Sequence, residues 1–248
     1  MNSVYLLILL FFFIALIYSS VGFGGGSSYL ALMALPVFFL LPAQIRLMAL
    51  ICNIVVVSGS SIIFLSRQRI RIATLLPYLL PSVPMAYVGG LWKLSDHLYY
   101  LILSFTLICA SALLWFKVRE SVVTANIPSL SKVAVSGSIG LLSGLVGIGG
   151  GIFLSPIMHL FRWATAAEIS AIAAIFILVN SISGLAGQLL NGAPEIDPKI
   201  LMPLILAVFA GGQIGARLGA GYFNPLWIRR ITAVVILLAA IILLREHL

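Results

Sequence analysis

Val21-Gly22-Phe23-Gly24-Gly25-Gly26 interrupts an apolar sequence near the start of the chain, and Val146-Gly147-Ile148-Gly149-Gly150-Gly151 interrupts another in the second half. Each stretch carries four glycines in five positions, and Gly22 and Gly147 are 125 residues apart. A glycine inside a helix costs roughly 1 kcal/mol relative to alanine. Each stretch therefore predicts a break between two helical segments. We refer to residues 21–26 and 146–151 as the first and second glycine breaks.

The composition around these breaks is that of a membrane protein. Of 248 residues, 62% are hydrophobic and 8% are charged, and the mean hydropathy is +1.21. A soluble domain has roughly 45–50% apolar and 25% charged residues, so hydrocarbon must be the solvent for most of this chain. The net charge of +8 comes from Lys and Arg between apolar runs, as in cytoplasmic loops. We therefore expect the lipid bilayer, and not nucleic acid, as a partner.

Apolar segments outline the organisation of the chain, with five on each side of a polar connector. They predict an all-α integral membrane protein with two homologous halves of about five helical segments each. Residues 1–116 form the first repeat, 117–131 the connector and 132–248 the second repeat, within one membrane domain. The segments lie at about 4–21, 24–41, 45–65, 73–92, 98–116, 132–146, 149–161, 166–190, 200–217 and 227–244.

Further matches between the halves keep nearly the same spacing as the glycine breaks. Three short pairs recur in the same order, at offsets of 125 or 126 residues. Small residues often mark close helix packing, which is our interpretation of Gly89-Gly90 and of Gly211-Gly212 with Gly215. The three pairs are Ser58-Gly59 with Ser183-Gly184, Leu76-Pro77 with Met202-Pro203, and Gly89-Gly90 with Gly215-Ala216.

The charges of two equivalent loops predict that the halves are inverted. Residues 66–71 carry three Arg and no acid, whereas residues 191–199 carry one Lys and two acids. The positive-inside rule puts the first loop in the cytoplasm and the second outside, which makes the halves inverted repeats. Arg46, Lys93 and Arg245 are exceptions in this scheme. A parallel arrangement of two four-helix halves is the alternative.

The glycine breaks predict an anion-binding site. A helix that restarts after a break presents unpaired N–H groups and the positive end of its dipole, and two related breaks converge near the midplane. Ser27 and Ser28 add hydroxyl donors in the first half, where the second half has Ile152 and Phe153. Close helix packing is the alternative explanation. The predicted substrate-binding residues are Gly22, Gly24, Gly25, Gly26, Ser27, Ser28, Gly147, Gly149, Gly150, Gly151, Asn53, Asn180 and Gln213.

The polar residues of the apolar segments have two interpretations each. Asn53, Asn180 and Gln213 contact either the substrate or a neighbouring helix. Arg217 either holds an anion or extends to the headgroups from the end of its segment. Glu168 matches the capping box Thr165-Ala166-Ala167-Glu168, and a proton-coupling role is the alternative.

Several kinds of chemistry find no support in the sequence. The G-x-G patterns at both breaks lack the third glycine of a dinucleotide fingerprint, because Ser27 and Ile152 stand there. Cys52 and Cys109 have no metal-ligand spacing, and no pattern of nucleophile, base and acid appears. We therefore expect no enzymatic activity, no metal and no cofactor.

The doubled glycine motif, with its contexts Tyr18-Ser19-Ser20 and Ser143-Gly144-Leu145, resembles the TauE/SafE family. The segments from Pro77 to Gly90 and from Pro203 to Ala216 are similar to that family too. The resemblance implies a multi-pass permease of the inner (cytoplasmic) membrane that exports sulfite or small organosulfonates. We expect a secondary transporter with a small anionic substrate; a passive anion channel and a non-transporting membrane anchor are the alternatives. A homo-oligomer is left open.

Overall fold

The computed structural model describes residues 2–20, 22–68, 72–115, 129–218 and 225–247. These residues form ten α-helices and a 3-10 helix, Pro36–Phe38, and they contain no β-strand. The predicted all-α fold is confirmed. The helices are α1 (Asn2–Ser20), α2 (Gly26–Met33), α3 (Pro42–Gln68), α4 (Ile72–Leu91), α5 (Asp96–Trp115), α6 (Ser129–Val146), α7 (Gly151–Leu160), α8 (Ala166–Leu189), α9 (Pro198–Leu218) and α10 (Pro225–His247).

The distribution of side chains is that of a protein dissolved in hydrocarbon. Large apolar side chains such as Phe105 and Leu206 point outward, whereas the amides of Asn53 and Asn180 are fully buried. A bilayer core needs about 20 apolar residues in one helix to cross it. Four helical stretches of the described residues are long and apolar enough to do so: Pro42–Ile63, Asp96–Trp115, Ala166–Leu189 and Pro198–Leu218.

The second apolar segment is shorter as a helix than its sequence predicts. The prediction ran to residue 41, but α2 ends at Met33 and gives way to the 3-10 turn. Pro36 explains the difference, because a proline disfavours helical backbone angles at the residue before it. Leu35 is accordingly extended, with φ −64° and ψ 136°.

The two halves pack by exchanging helices. Helix α1 lies along α9 of the other half, and α6 lies along α4 in the same way. Helices α3 and α8 meet between the halves, where α3 also contacts α9 and α8 also contacts α4. Helices α5 and α10 pack against each other. Each half therefore supplies helices that pack against helices of the other half.

Glycines allow the exchanged helices to approach backbone to backbone. A methyl group at Gly89 would collide with the carbonyl oxygen of Leu141 in α6, and one at Gly144 with that of Ala86 in α4. Gly211 and Gly215 of α9 meet the backbone of α1 in the same manner. The packing interpretation of Gly89, Gly211 and Gly215 is confirmed.

Contacts between helix ends indicate the course of the chain. Helix α2 turns back beside α1, since the rings of Phe11 and Tyr29 stack with centroids 4.4 Å apart. The start of α3 lies beside the loop after α8, because the Gln44 side chain donates to the Glu195 carbonyl at 2.6 Å. The inversion of the two halves itself stays a prediction. Most of the predicted connector, 117–131, lies outside the described residues.

Helices α3 and α8 begin with related caps. The Thr165 backbone N–H donates to the Glu168 carboxylate at 2.9 Å, and the Glu168 N–H donates back to the Thr165 hydroxyl at 3.4 Å. In the first half, the Leu41 N–H donates to the side-chain oxygen of Gln44 at 2.9 Å, and Pro42 is the first helical residue. The predicted capping box at Thr165 is confirmed.

Changes at Glu168 should separate the capping role from proton coupling. Glu168→Gln keeps the cap, because glutamine also serves at this position, and should leave both transport and melting temperature unchanged. Glu168→Ala should cost about 1 kcal/mol of stability with transport retained. Flux in proteoliposomes and thermal melting measure the two effects. Loss of transport in Glu168→Gln would instead assign the carboxylate a coupling role.

Candidate functional site

Both glycine breaks interrupt their helices in nearly the same conformation. The first separates α1 from α2, and the second separates α6 from α7. Gly25 and Gly150 precede the restarting helices with φ of 80° and 83°, in the left-handed region that glycine enters without penalty. A left-handed residue followed by a helical one forms a nest, a turn whose successive N–H groups point into one concavity that suits an anion.

Asn53 of α3 lies between the two breaks. Its amide nitrogen donates to the Ile148 carbonyl of the second break at 3.0 Å. A methyl group at Gly24 would lie 2.6 Å from its amide oxygen, and one at Gly149 would lie 2.9 Å from its nitrogen. The Asn53 side chain is fully buried, and its amide oxygen has no partner among the described residues. The structure therefore brings three of the predicted elements together: both breaks and Asn53.

Each break leaves a run of backbone N–H groups unpaired. In the first break, the N–H groups of Gly22 and Phe23 donate to backbone carbonyls. The next N–H groups along the chain that do so are those of Ser28 and Tyr29. In the second break, the Gly147 N–H donates to the Ser143 carbonyl, and the next such donor is the Phe153 N–H. Within the described part of the chain, the N–H groups of residues 24–27 and 148–152 therefore have no acceptor. Buried donors are almost always paired in proteins, so nine unpaired donors indicate a site for an acceptor.

A small cavity, which we call the central cavity, lies between the breaks. Its volume is about 20 Å³, which is room for roughly one water molecule. The hydroxyl-bearing residues Tyr18, Ser27 and Thr232 line it. Apolar side chains and the glycines of the breaks complete the lining: Phe23, Gly24, Gly25, Gly26, Leu114, Ile148, Gly151, Ile152 and Ile177.

The remaining predicted residues do not line this cavity. The Ser28 hydroxyl is hydrogen-bonded to the Tyr18 hydroxyl at 2.7 Å, so it holds a residue that does line the cavity. Asn180 donates to the Phe176 carbonyl of its own helix at 2.9 Å. Gln213 lies against Gly59, where α9 contacts α3. The glycines outside the lining are Gly22, Gly147, Gly149 and Gly150.

Three residues of interest were not predicted as site residues. Tyr18 and Thr232 bring hydroxyl groups to the central cavity from α1 and α10. Arg46, which the loop-charge scheme set aside as an exception, is a buried residue of α3. The helix start at Pro42 was the available signal, because it places Arg46 one turn inside the helix. Arg217, by contrast, is exposed at the end of α9, where extension to the headgroups explains it.

Comparisons with known proteins find sequence relatives over nearly the whole chain. The sequence pattern of the family described as "Sulfite exporter TauE/SafE" matches residues 7–243. A relative from Sinorhizobium fredii (strain NBRC 101917 / NGR234), the "Probable membrane transporter protein y4hK", is 32% identical over 239 residues, which is 94% of this chain and 95% of the relative. No solved structure gives a significant match.

Proposed function

The chain belongs to the TauE/SafE family of membrane transport proteins, and from this premise we propose that it is a secondary transporter of a small oxyanion. The unpaired N–H groups of the two glycine breaks carry the proposal. They give two donor sets and two positive helix ends with no acidic side chain in the lining of the central cavity. Such a surface favours an anion over a cation.

The lining favours an oxyanion that carries a short apolar group. Hydroxyl groups of Tyr18, Ser27 and Thr232 add donors to the lining, whereas Leu114, Ile152 and Ile177 are apolar. Oxygens of a sulfite or sulfonate group accept hydrogen bonds from the first set, and a small organic substituent packs against the second. We therefore propose sulfite or a small organosulfonate as the substrate.

The size of the central cavity favours a carrier over a channel. A volume of about 20 Å³ admits roughly one water, which is less than a sulfite ion needs. Substrate therefore enters only after the breaks or their neighbours move apart. We propose that the halves rock about the helices they exchange, opening the site to one face of the cytoplasmic membrane at a time, in a multi-pass arrangement with residues 66–71 inside.

Transport of labelled sulfite tests this function. The purified protein is reconstituted in proteoliposomes, and uptake of labelled sulfite and labelled sulfoacetate is compared with empty liposomes. A carrier should give saturable flux and should accelerate when unlabelled substrate is present on the opposite side. Flux without saturation or counterflow would identify a channel, and no flux above empty liposomes for any oxyanion tested would contradict the proposal.

Ser27→Ala should weaken the site without disturbing the fold. The Ser27 hydroxyl lines the central cavity, and loss of one donor to a charged group costs about 1.5–3 kcal/mol, or roughly tenfold to a hundredfold in apparent affinity. The matched control is Ser136→Ala, which removes a buried hydroxyl bonded within α6 and should leave the apparent affinity unchanged. Concentration dependence of sulfite uptake measures both. Equal effects of the two changes would contradict the assignment of Ser27.

A further inference from the structure

A buried arginine lies apart from the central cavity, near the start of α3. Arg46 is only 6% exposed. One of its terminal nitrogens donates to the Gly144 carbonyl at 2.9 Å and to the Gly89 and Gly90 carbonyls at 3.3 Å, and the other donates to the Trp92 carbonyl at 3.4 Å. These carbonyls belong to the last turns of α6 and α4 and to the residue after α4. The guanidinium therefore lies where two helices present the negative ends of their dipoles.

The charge of Arg46 is offset by helix dipoles but is not paired with a carboxylate. No carboxylate of the described residues lies within ion-pair distance of the guanidinium. Its Nε–H is buried and has no acceptor in that part of the chain. The two helix ends contribute partial negative charge, but no carboxylate pairs with the guanidinium and its Nε–H remains an unused donor. A buried cation in this state calls for an anion.

Arg46 lines a cavity of about 230 Å³, which we call the vestibule. Lys93 adds a second cation to its lining, and Asp96 is the acidic residue there. The amide nitrogens of Gln188 and Asn191, also in the lining, donate to the Ala43 and Leu91 carbonyls. Two cations against one carboxylate leave the vestibule positive. Its volume is more than ten times that of the central cavity and suits a small oxyanion with part of its hydration shell.

The vestibule adjoins the second glycine break. A methyl group at Gly147 would lie 3.1 Å from the Cα of Arg46, and the Tyr99 hydroxyl, also in the vestibule lining, donates to the Val146 carbonyl at 3.4 Å. We propose that the vestibule is a second anion site, in which Arg46 holds a free oxyanion next to the second break. Its role as a waiting position for the transported anion rests on the proposed function; the binding itself does not.

The proposed site exists on one face of the protein. The position equivalent to Arg46 at the offset of the glycine breaks is Ala171, which is buried in α8 and carries no charge. The vestibule lies at the start of α3, the end opposite Gln68. It therefore has no counterpart built on the equivalent residue of the second half.

Trp92 lines the vestibule and reports on it. A variant that retains this tryptophan alone, with Trp115, Trp163 and Trp227 changed to Phe, is purified in detergent and titrated with sodium sulfite against sodium chloride at equal ionic strength. We expect a saturable change in Trp92 fluorescence with sulfite. In the same background, Arg46→Gln should weaken it at least tenfold, and Arg46→Lys should weaken it less.

The matched control is Arg245→Gln, which removes the same charge from an exposed side chain at the end of α10 and should leave the titration unchanged. The titration is made in detergent without any flux, so this experiment is independent of transport by the glycine breaks. A saturable, Arg46-dependent signal in a protein without flux would support the vestibule and contradict the proposed function. No saturable signal, or an equal signal with and without Arg46, would overturn the vestibule site.

Two further measurements exclude other sources of the same result. A purely structural arginine would lower the melting temperature in Arg46→Gln without changing the sulfite titration, which overturns the proposal. Lipid phosphate shares the chemistry of a free oxyanion. If the titration disappears in nanodiscs of anionic lipid and persists in those of zwitterionic lipid, a headgroup occupies the vestibule and the free-anion assignment is wrong. Persistence in both supports it.

Discussion

Gly26→Ala is expected to reduce oxyanion flux about tenfold or more, because it pushes the two glycine breaks apart. The added methyl group would lie 2.6 Å from the Ile148 carbonyl oxygen and would overlap the Asn53 side chain. Neither the Ile148 carbonyl nor the Asn53 side chain can move away from the methyl group without moving the second break. The loss of one donor contact to an anion would already reduce flux about tenfold. Initial rates of labelled sulfite uptake in proteoliposomes measure the effect.

Gly137→Ala provides the control for Gly26→Ala. Gly137 is a helical glycine of α6, and a methyl group there would meet nothing closer than 3.7 Å. The exchange should leave flux intact and raise stability slightly, since alanine is the better helix former. Melting temperatures of both variants separate a damaged site from a damaged fold. Full transport by a folded Gly26→Ala protein would show that the breaks are not part of the transport site.

Asn53→Asp is expected to abolish transport, with a loss of about a hundredfold or more. The carboxylate would stand between the two donor sets and repel the substrate, and like charges about 5 Å apart cost on the order of 3 kcal/mol at an effective dielectric constant of 20. It would also replace the nitrogen that donates to the Ile148 carbonyl. The same flux assay, with thermal melting to check folding, measures the result.

Asn180→Asp is the matched substitution for Asn53→Asp. Asn180 is as fully buried as Asn53, and neither lines the central cavity, but Asn180 bonds to its own helix whereas Asn53 bonds to the second break. Both variants therefore bury a carboxyl group at a cost in stability, but only Asn53→Asp places that group beside the glycine breaks. Transport should survive in Asn180→Asp to the extent that the protein folds. Equal losses in the two variants would show that Asn53 has no special relation to the substrate.

The sequence predicted the helices and the breaks because both follow from local rules. Apolar length marks a membrane helix, and four glycines in five positions stop one, whatever lies nearby. The repeat was predicted from the same kind of signal, since that prediction needs only equal spacing of such signals. Where a prediction was wrong, as at the end of α2, a single proline changed the local backbone preference.

The composition of the site was predictable only in part, because it depends on contacts between distant residues. Asn53 and Asn180 look equivalent in sequence, but they are 127 residues apart and not 125, so they face different neighbours. Tyr18 reaches the cavity because α2 folds back along α1. In the sequence, Arg46 looked like a loop charge. In the structure, carbonyls at the ends of α4 and α6 accept its hydrogen bonds, which is why α3 can bury it.

The exchange of helices between the halves sets an order of assembly during synthesis. Ser136 of α6 meets the backbone of α4 from 59 residues away, whereas Ser19 of α1 donates to a carbonyl of α9 that is 193 residues away. At roughly 5–20 residues per second, α1 waits about 10–40 s for α9 to leave the ribosome. Until then lipid or the insertion machinery must shelter its unmatched face. Helices in the middle of the sequence thus pack together first, and α1, the first helix to be synthesised, is among the last to contact its neighbour.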